Sequence, residues 1–134
     1  MGTTEYRLDA ALAYEVITTS SRALPSGVMR RLSARHTAYS MGGSGALLPS
    51  NIALDFGLYS DATGTDLQFL PMVVSPSSIP PPNPLVMPRM IWVPRDGLVW
   101  EGRYFIPPGT WAFARWYNAD IYAHNVFASL VIET

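Results

Sequence analysis

Apolar and polar side chains alternate along several segments of this chain, which is the spacing of a β-strand. The alternation is cleanest over Asn51–Tyr59, where every second residue is large and apolar. A period of two is typical of a strand that buries one face and exposes the other. The apolar face carries Ile52, Leu54, Phe56 and Leu58, and the opposite face carries Ala53, Asp55, Gly57 and Tyr59.

Eight strand-like segments follow one another, with turn-forming residues between them. Asp61–Gly64 and Pro94–Gly97 place Asp, Pro and Gly where a chain reversal favours them. Many short strands joined by turns are typical of an all-β sandwich or barrel. The predicted strands are Leu12–Thr19, Val28–Thr37, Asn51–Tyr59, Thr65–Val74, Arg89–Val93, Leu98–Ile106, Thr110–Asn118 and Asn125–Glu133.

The length of 134 residues predicts one domain. We expect residues 1–11 to form an N-terminal arm or short helix, and residues 12–134 to form a single β-sandwich domain. Residues 75–88 hold six of the twelve prolines and predict a stiff loop, because proline fixes φ and removes a backbone donor. This loop either lies as an arm on a neighbouring subunit or packs on its own domain.

The composition predicts an assembling protein. Hydrophobic residues make up 49% of the chain and charged residues only 14%, whereas an ordinary soluble domain is about 25% charged. Contiguous apolar exterior usually marks an interface, so we expect a homo-oligomer. The net charge of −1 gives no electrostatic case for nucleic acid. No apolar run approaches the roughly 20 residues that span a bilayer, so no membrane insertion is expected.

Candidate catalytic groups are few. The chain has no cysteine and two histidines, His36 and His124, and each is interpreted as an ordinary polar or interface residue. Gly42–Gly45 lacks the spacing of a nucleophile elbow. Asp61–Asp66 faintly resembles a calcium loop but is interpreted as a turn. We therefore predict no enzyme and no catalytic, metal-binding or cofactor-binding residues.

The seventh predicted strand is the strongest candidate for function. Alternation puts Trp111, Phe113, Arg115 and Tyr117 on one face, and Ala112, Ala114 and Trp116 on the other. Three interpretations remain open. The aromatic face packs in the core, or it forms a subunit interface with Arg115 stacked on the rings or paired across it, or it is a platform for sugar rings.

Three segments resemble small jelly-roll structural proteins of tailed-phage virions. They are Leu54–Asp66, Leu70–Val74 and Ile106–Arg115, the last with Pro108 and Trp111 where the family pattern has alanine and arginine. The resemblance implies a virion structural role in head decoration, a spike base or fibre attachment, and it transfers no catalytic residue. With the strand pattern, it predicts an all-β fold, an eight-stranded jelly-roll-like antiparallel β-sandwich.

The expected function is a non-enzymatic virion protein that self-assembles and decorates or stabilises a phage-like capsid, or forms a spike or fibre base on it. The alternative is a glycan-binding, lectin-like head. Expected partners are copies of the chain in a trimer or pentamer, other virion proteins such as a major capsid protein, and a cell-surface glycan; the expected location is the virion. The predicted interface residues are Trp111, Phe113, Arg115, Tyr117, Ile79, Pro80, Pro81, Pro82 and Leu85.

Overall fold

The computed structural model describes residues 2–39, 51–71 and 90–134. They form two antiparallel sheets packed face to face, so the predicted antiparallel β-sandwich is confirmed. These described residues contain nine strands where eight were predicted, and the additional strand is the first one in the chain.

Sheet A contains four strands in the spatial order β1-β9-β3-β7. β1 and β9 pair over ten residues without a register shift, whereas β3 is bulged against both of its neighbours. The strands are β1 (Thr3–Leu12), β3 (Gly27–Tyr39), β7 (Leu98–Ile106) and β9 (His124–Glu133).

Sheet B contains five strands in the order β2-β8-β4, with β5 and β6 paired to different parts of β4. Successive strands β1 to β4 and β7 to β9 alternate between the two sheets, which is the double Greek-key connectivity of a jelly roll. The predicted jelly-roll topology is thereby confirmed. The strands are β2 (Ile17–Ala23), β4 (Ile52–Tyr59), β5 (Leu67–Phe69), β6 (Ile91–Trp92) and β8 (Trp111–Asn118).

The N-terminal segment is a strand, so the predicted arm or short helix over residues 1–11 is wrong. Leu8 and Leu12 are buried, and Tyr6 and Ala10 pack against the same core. Pairing with β9 outweighs the helix propensity of this Ala- and Leu-containing segment. The predicted strand Leu12–Thr19 is wrong in its bounds, because only its last three residues belong to β2. It runs through the corner between β1 and β2, where Glu15 has a φ of 60°.

The core lies between the two sheets. β4 contributes Ile52, Leu54, Phe56 and Leu58, as its alternation predicted, and all four are fully buried. Each large apolar side chain buried in this way contributes about 1.5–3 kcal/mol relative to an exposed one. The opposite face of β4 is buried as well, so β4 is not the half-exposed strand that its sequence predicted.

An aromatic cluster closes one side of the sandwich, between β5 of sheet B and β7 of sheet A. The ring of Phe69 stacks on Tyr104 with 3.9 Å between centroids and meets Trp100 edge-on at 5.9 Å. Gln68 Nε2 donates a hydrogen bond of 3.1 Å to the Tyr104 hydroxyl. These contacts join the two sheets along this side.

Candidate interaction surface

The outer faces of the two sheets differ sharply in charge. The strands of sheet A carry nine charged residues, and three ion pairs lie in solvent on this sheet: Arg7–Asp9 at 3.2 Å, Arg31–Glu101 at 3.1 Å and Arg30–Glu133 at 3.7 Å. The strands of sheet B carry three charged residues, Arg22, Asp55 and Arg115. Sheet A therefore has the solvated exterior of an ordinary domain, and sheet B does not.

The aromatic side chains of β8 lie on the outer face of sheet B. Ala112, Ala114 and Trp116 point into the core instead, so the interpretation with the aromatic face in the sandwich core is wrong. Of the predicted interface residues on β8, Trp111 and Arg115 are half-buried. Phe113 is only 6% exposed and Tyr117 only 2%. Both rings are therefore already covered by their own chain.

The cover comes from neighbouring strands and one loop. The ring of Tyr59 on β4 meets Phe113 edge-on at 5.2 Å. Gly64 lies so close above Phe113 that a Cβ there would come within 2.9 Å of the ring. Tyr117 packs in a second small cluster with Ala53 and Met90. The predicted sugar platform thus loses two of its stacking rings.

Arg115 ties this outer face together. Its Nη1 donates to the Tyr59 hydroxyl at 3.1 Å and its Nη2 to the Gly64 carbonyl at 3.4 Å. Its guanidinium also lies 5.2 Å from the centroid of the Phe113 ring, which is one of the two contacts that the sequence left open for this residue. Asp55, fully buried on β4, is its direct register partner. The cation is therefore used within the chain.

The loop between β4 and β5 is organised by Asp61. Its carboxylate accepts hydrogen bonds from the Thr63 hydroxyl, from the backbone and hydroxyl of Thr65, and from the backbone N–H of Asp66 at 3.0 Å. The hydroxyl bonds from Thr63 and Thr65, followed by the bond from Asp66, hold the pKa of Asp61 well below its ordinary value. The carboxylate is occupied by its own turn, as the turn interpretation predicted.

An exposed apolar patch, which we term the loop-end patch, lies at the end of the sandwich beyond Asn118. Its residues are 40% to 69% exposed, although all are large and hydrophobic. Sequence reasoning missed this patch, because its residues belong to two segments more than 100 positions apart. They are Tyr14, Val16 and Ile17 at the β1–β2 corner, and Ile121 and Tyr122 between β8 and β9.

Asn118 holds the two halves of the loop-end patch together. Its carbonyl accepts from the backbone N–H of Glu15 at 2.8 Å, and its side-chain Nδ2 donates to the Tyr122 carbonyl at 2.8 Å. The amide oxygen of its side chain accepts from the Asp120 N–H at 2.8 Å. Because Asn118 is fully buried, both segments are fixed against one rigid anchor.

The two histidines lie beneath this end of the sandwich, buried and with ring centroids 6.5 Å apart. His124 Nε2 is 2.8 Å from Asp120 Oδ2. Burial raises the pKa of Asp120, but bonds from His124, the Tyr122 backbone and Asn51 outweigh it and leave that pKa below its ordinary value. The His124–Asp120 pair therefore pins the β8–β9 loop to the start of β9.

The remaining predicted contact residues, Ile79, Pro80, Pro81, Pro82 and Leu85, lie outside the described residues, as does the whole of the proline-rich loop 75–88. Within residues 2–39, 51–71 and 90–134, no group of three His, Asp or Glu side chains is placed to hold a metal ion. The same residues contain no helix that is long and apolar enough to cross a membrane.

No protein-family model, curated protein or solved structure matches this chain.

Proposed function

We propose that this chain is a non-enzymatic structural protein of a phage-like virion. It assembles with copies of itself, and it decorates or stabilises the capsid or forms the base of a spike or fibre. The jelly-roll topology is compatible with this role, because viral capsid proteins use that architecture. Lectins and cupins use it too, so the fold alone does not carry the proposal.

The observation that carries self-assembly is the loop-end patch beside a sheet with few charges. Five large apolar side chains are exposed on two segments that both bond to Asn118, and the strands of sheet B offer only Arg22, Asp55 and Arg115 as charged groups. Burying apolar area contributes about 25 cal/mol per Å2 before the costs of association are subtracted. A surface of this kind is more stable against another protein than against water.

Native mass spectrometry of the purified chain tests self-assembly directly. We expect closed oligomers whose mass is a multiple of 14.7 kDa, with three or five copies in each ring. A single species of 14.7 kDa at high protein concentration would remove the basis of the proposal.

The neighbouring genes test the virion part separately. We expect them to encode a major capsid protein and other particle components. Neighbours that encode only metabolic enzymes would refute the virion role and leave self-assembly standing.

A glycan-binding head remains the alternative, and Trp111 is the residue on which it now depends, because Phe113 and Tyr117 are buried. Binding to a glycan array that is lost in Trp111→Ala, with the oligomer intact, would favour this alternative over the structural role.

A further inference from the structure

β2 is an edge strand of sheet B, and no strand in the described part of the chain pairs with its outer side. It pairs with β8 on one side only, without a register shift. Leu24 N donates to the Thr110 carbonyl at 2.9 Å, which fixes the even-numbered residues as those bonded towards β8. The backbone N–H and C=O groups of Ile17, Thr19, Ser21 and Ala23 therefore point away from the sheet, and all four residues are exposed.

The other edges of the described sheets are better protected than β2, which carries only one charged residue, Arg22. On β1, the outward carbonyls of Arg7 and Asp9 accept hydrogen bonds from the side chains of Arg22 and Ser20. β7 has two register irregularities against β3 and carries Glu101 and Arg103. β5 and β6 are three and two residues long. Capping groups, bulges, charges and short length are the usual protections against edge-to-edge pairing.

We propose that the free edge of β2 pairs antiparallel with β2 of a second copy of this chain, so that the two B sheets become one continuous sheet across a two-fold axis. This inference rests on the proposed self-assembly and specifies one of its contacts. A second copy is the occupant because the strand is complementary to itself.

The complementarity follows from the positions along β2. With the two-fold axis at Ser20, Thr19 of one copy lies opposite Ser21 of the other, and Ile17 lies opposite Ala23. Every backbone group that points outward then meets an outward group of the partner strand. Arg22, the one charged residue of β2, lies opposite Thr18 and not opposite another cation. Its guanidinium is moreover held near the Tyr6 ring, at 5.0 Å from the centroid.

The loop-end patch extends this contact. Ile17 begins β2 and belongs to the patch, with Tyr14 and Val16 directly before it. In the paired arrangement each copy places this apolar corner near the end of the other copy's β2, at Ala23. The apolar corner of each copy is therefore partly covered by the other copy, once at each end of the shared strand pair. Because the axis is two-fold, rings of three or five copies would associate in pairs through β2, so the complete assembly contains an even number of copies.

Thr19→Pro tests the pairing. Proline removes the outward N–H of Thr19 and leaves the bonds of the even-numbered residues to β8 intact, a position at which an edge strand tolerates proline. Thr19→Val is the matched control, because it keeps the N–H and favours an extended backbone. Two hydrogen bonds are lost per two-fold, so we expect the dissociation constant of the paired state to rise about ten- to a hundred-fold in Thr19→Pro. Sedimentation velocity measures it.

The outcomes separate this inference from the proposed function. A Thr19→Pro mass that falls to half or less, with Thr19→Val unchanged, supports pairing through β2. A wild-type trimer or pentamer, or an even-numbered oligomer that Thr19→Pro leaves intact, overturns the pairing and leaves self-assembly standing. A wild-type monomer overturns both.

Ser21→Lys keeps the test decisive if Thr19→Pro fails to fold. It preserves the backbone and places a cation on the edge, which is a natural protection against strand pairing. We expect the oligomer to dissociate and to recover in part at high salt, because the cations of the two copies approach each other. Unchanged assembly of a folded Ser21→Lys would overturn the pairing.

Discussion

The outer faces of the two sheets are both formed by alternate residues of their strands, yet the face of sheet A lies in solvent and much of the face of sheet B is covered by other parts of the chain. On sheet A, Arg7 lies 3.7 Å above the Phe127 ring, and charged neighbours keep that face in water. On sheet B, Tyr59, Arg115 and the loop around Gly64 cover the outer face, so that Phe113 is nearly inaccessible to solvent. Part of the apolar excess in this chain is therefore buried inside it as a second small core, and only the remainder is available to partners.

Phe113 and Phe127 give the largest contrast, because they are the same residue on the two outer faces. We expect Phe113→Ala to cost about 3 kcal/mol in unfolding free energy, as for a ring lost from a core. Phe127→Ala should cost about 1 kcal/mol, because only part of that ring is buried. Urea unfolding followed by circular dichroism measures both. Equal losses would mean that the two faces do not differ in the way described.

Gly64 and Gly109 distinguish two costs of an alanine substitution. Both positions carry the cost of a positive φ, but only Gly64 also lies close to the side chains on the outer face of sheet B. Both have positive φ values, 71° and 83°, which cost an alanine about 1 kcal/mol. A Cβ at Gly64 would also meet Phe113 at 2.9 Å and Arg115 Nη2 at 3.0 Å, whereas one at Gly109 meets nothing within 4 Å. We expect Gly64→Ala to lower the unfolding free energy by about 1 kcal/mol more than Gly109→Ala. Thermal unfolding of both variants checks this, and identical losses of unfolding free energy would argue against close packing of the Gly64 loop on Phe113 and Arg115.

Arg115 and Arg31 allow a comparison between a cation that is hydrogen-bonded inside its own chain and a cation that lies in solvent. Arg115→Lys loses the hydrogen bonds to Tyr59 and Gly64, and we expect a loss of about 1 kcal/mol. Arg31→Lys disturbs only an exposed pair with Glu101, so its cost should stay below about 0.5 kcal/mol. A larger effect at Arg31, measured by denaturant unfolding, would reverse the comparison.

The lowered pKa of Asp61 predicts that the unfolding free energy falls slightly in acid, because this carboxylate holds the loop over sheet B. Its pKa in the folded chain is below the ordinary value of 3.8, so its contribution is present above that pH and is lost as the pH falls below it. We expect wild type to lose more stability than Asp61→Asn between about pH 6 and about pH 3. Urea midpoints at both pH values provide the test, and the other carboxylates cancel in the difference. Parallel losses in both proteins would exclude Asp61 as the anchor.

Sequence patterns predicted the strands that place every second residue in the large core between the two sheets. The inner residues of β4 follow directly from a period of two. The same period separated Trp116 from the aromatic face of β8, but it left open which of these two faces points into the core. β1 was missed because its Ala and Leu content matches a helix equally well, and only pairing with β9 decides between them. The burial of Phe113 and Tyr117 was missed because it depends on a loop folding back and on Met90, contacts that no local pattern encodes.

Hydrogen exchange of β2 in the wild-type protein, followed by mass spectrometry, tests most directly whether another copy covers the side of the molecule with few charges. Of its seven backbone amides, those of Thr18, Ser20 and Arg22 bond towards β8, and those of Ile17, Thr19, Ser21 and Ala23 point outward. We expect all seven amides to exchange slowly in the assembled protein. Rapid exchange of the four outward amides, with only the other three protected, would show a bare strand edge and contradict the account.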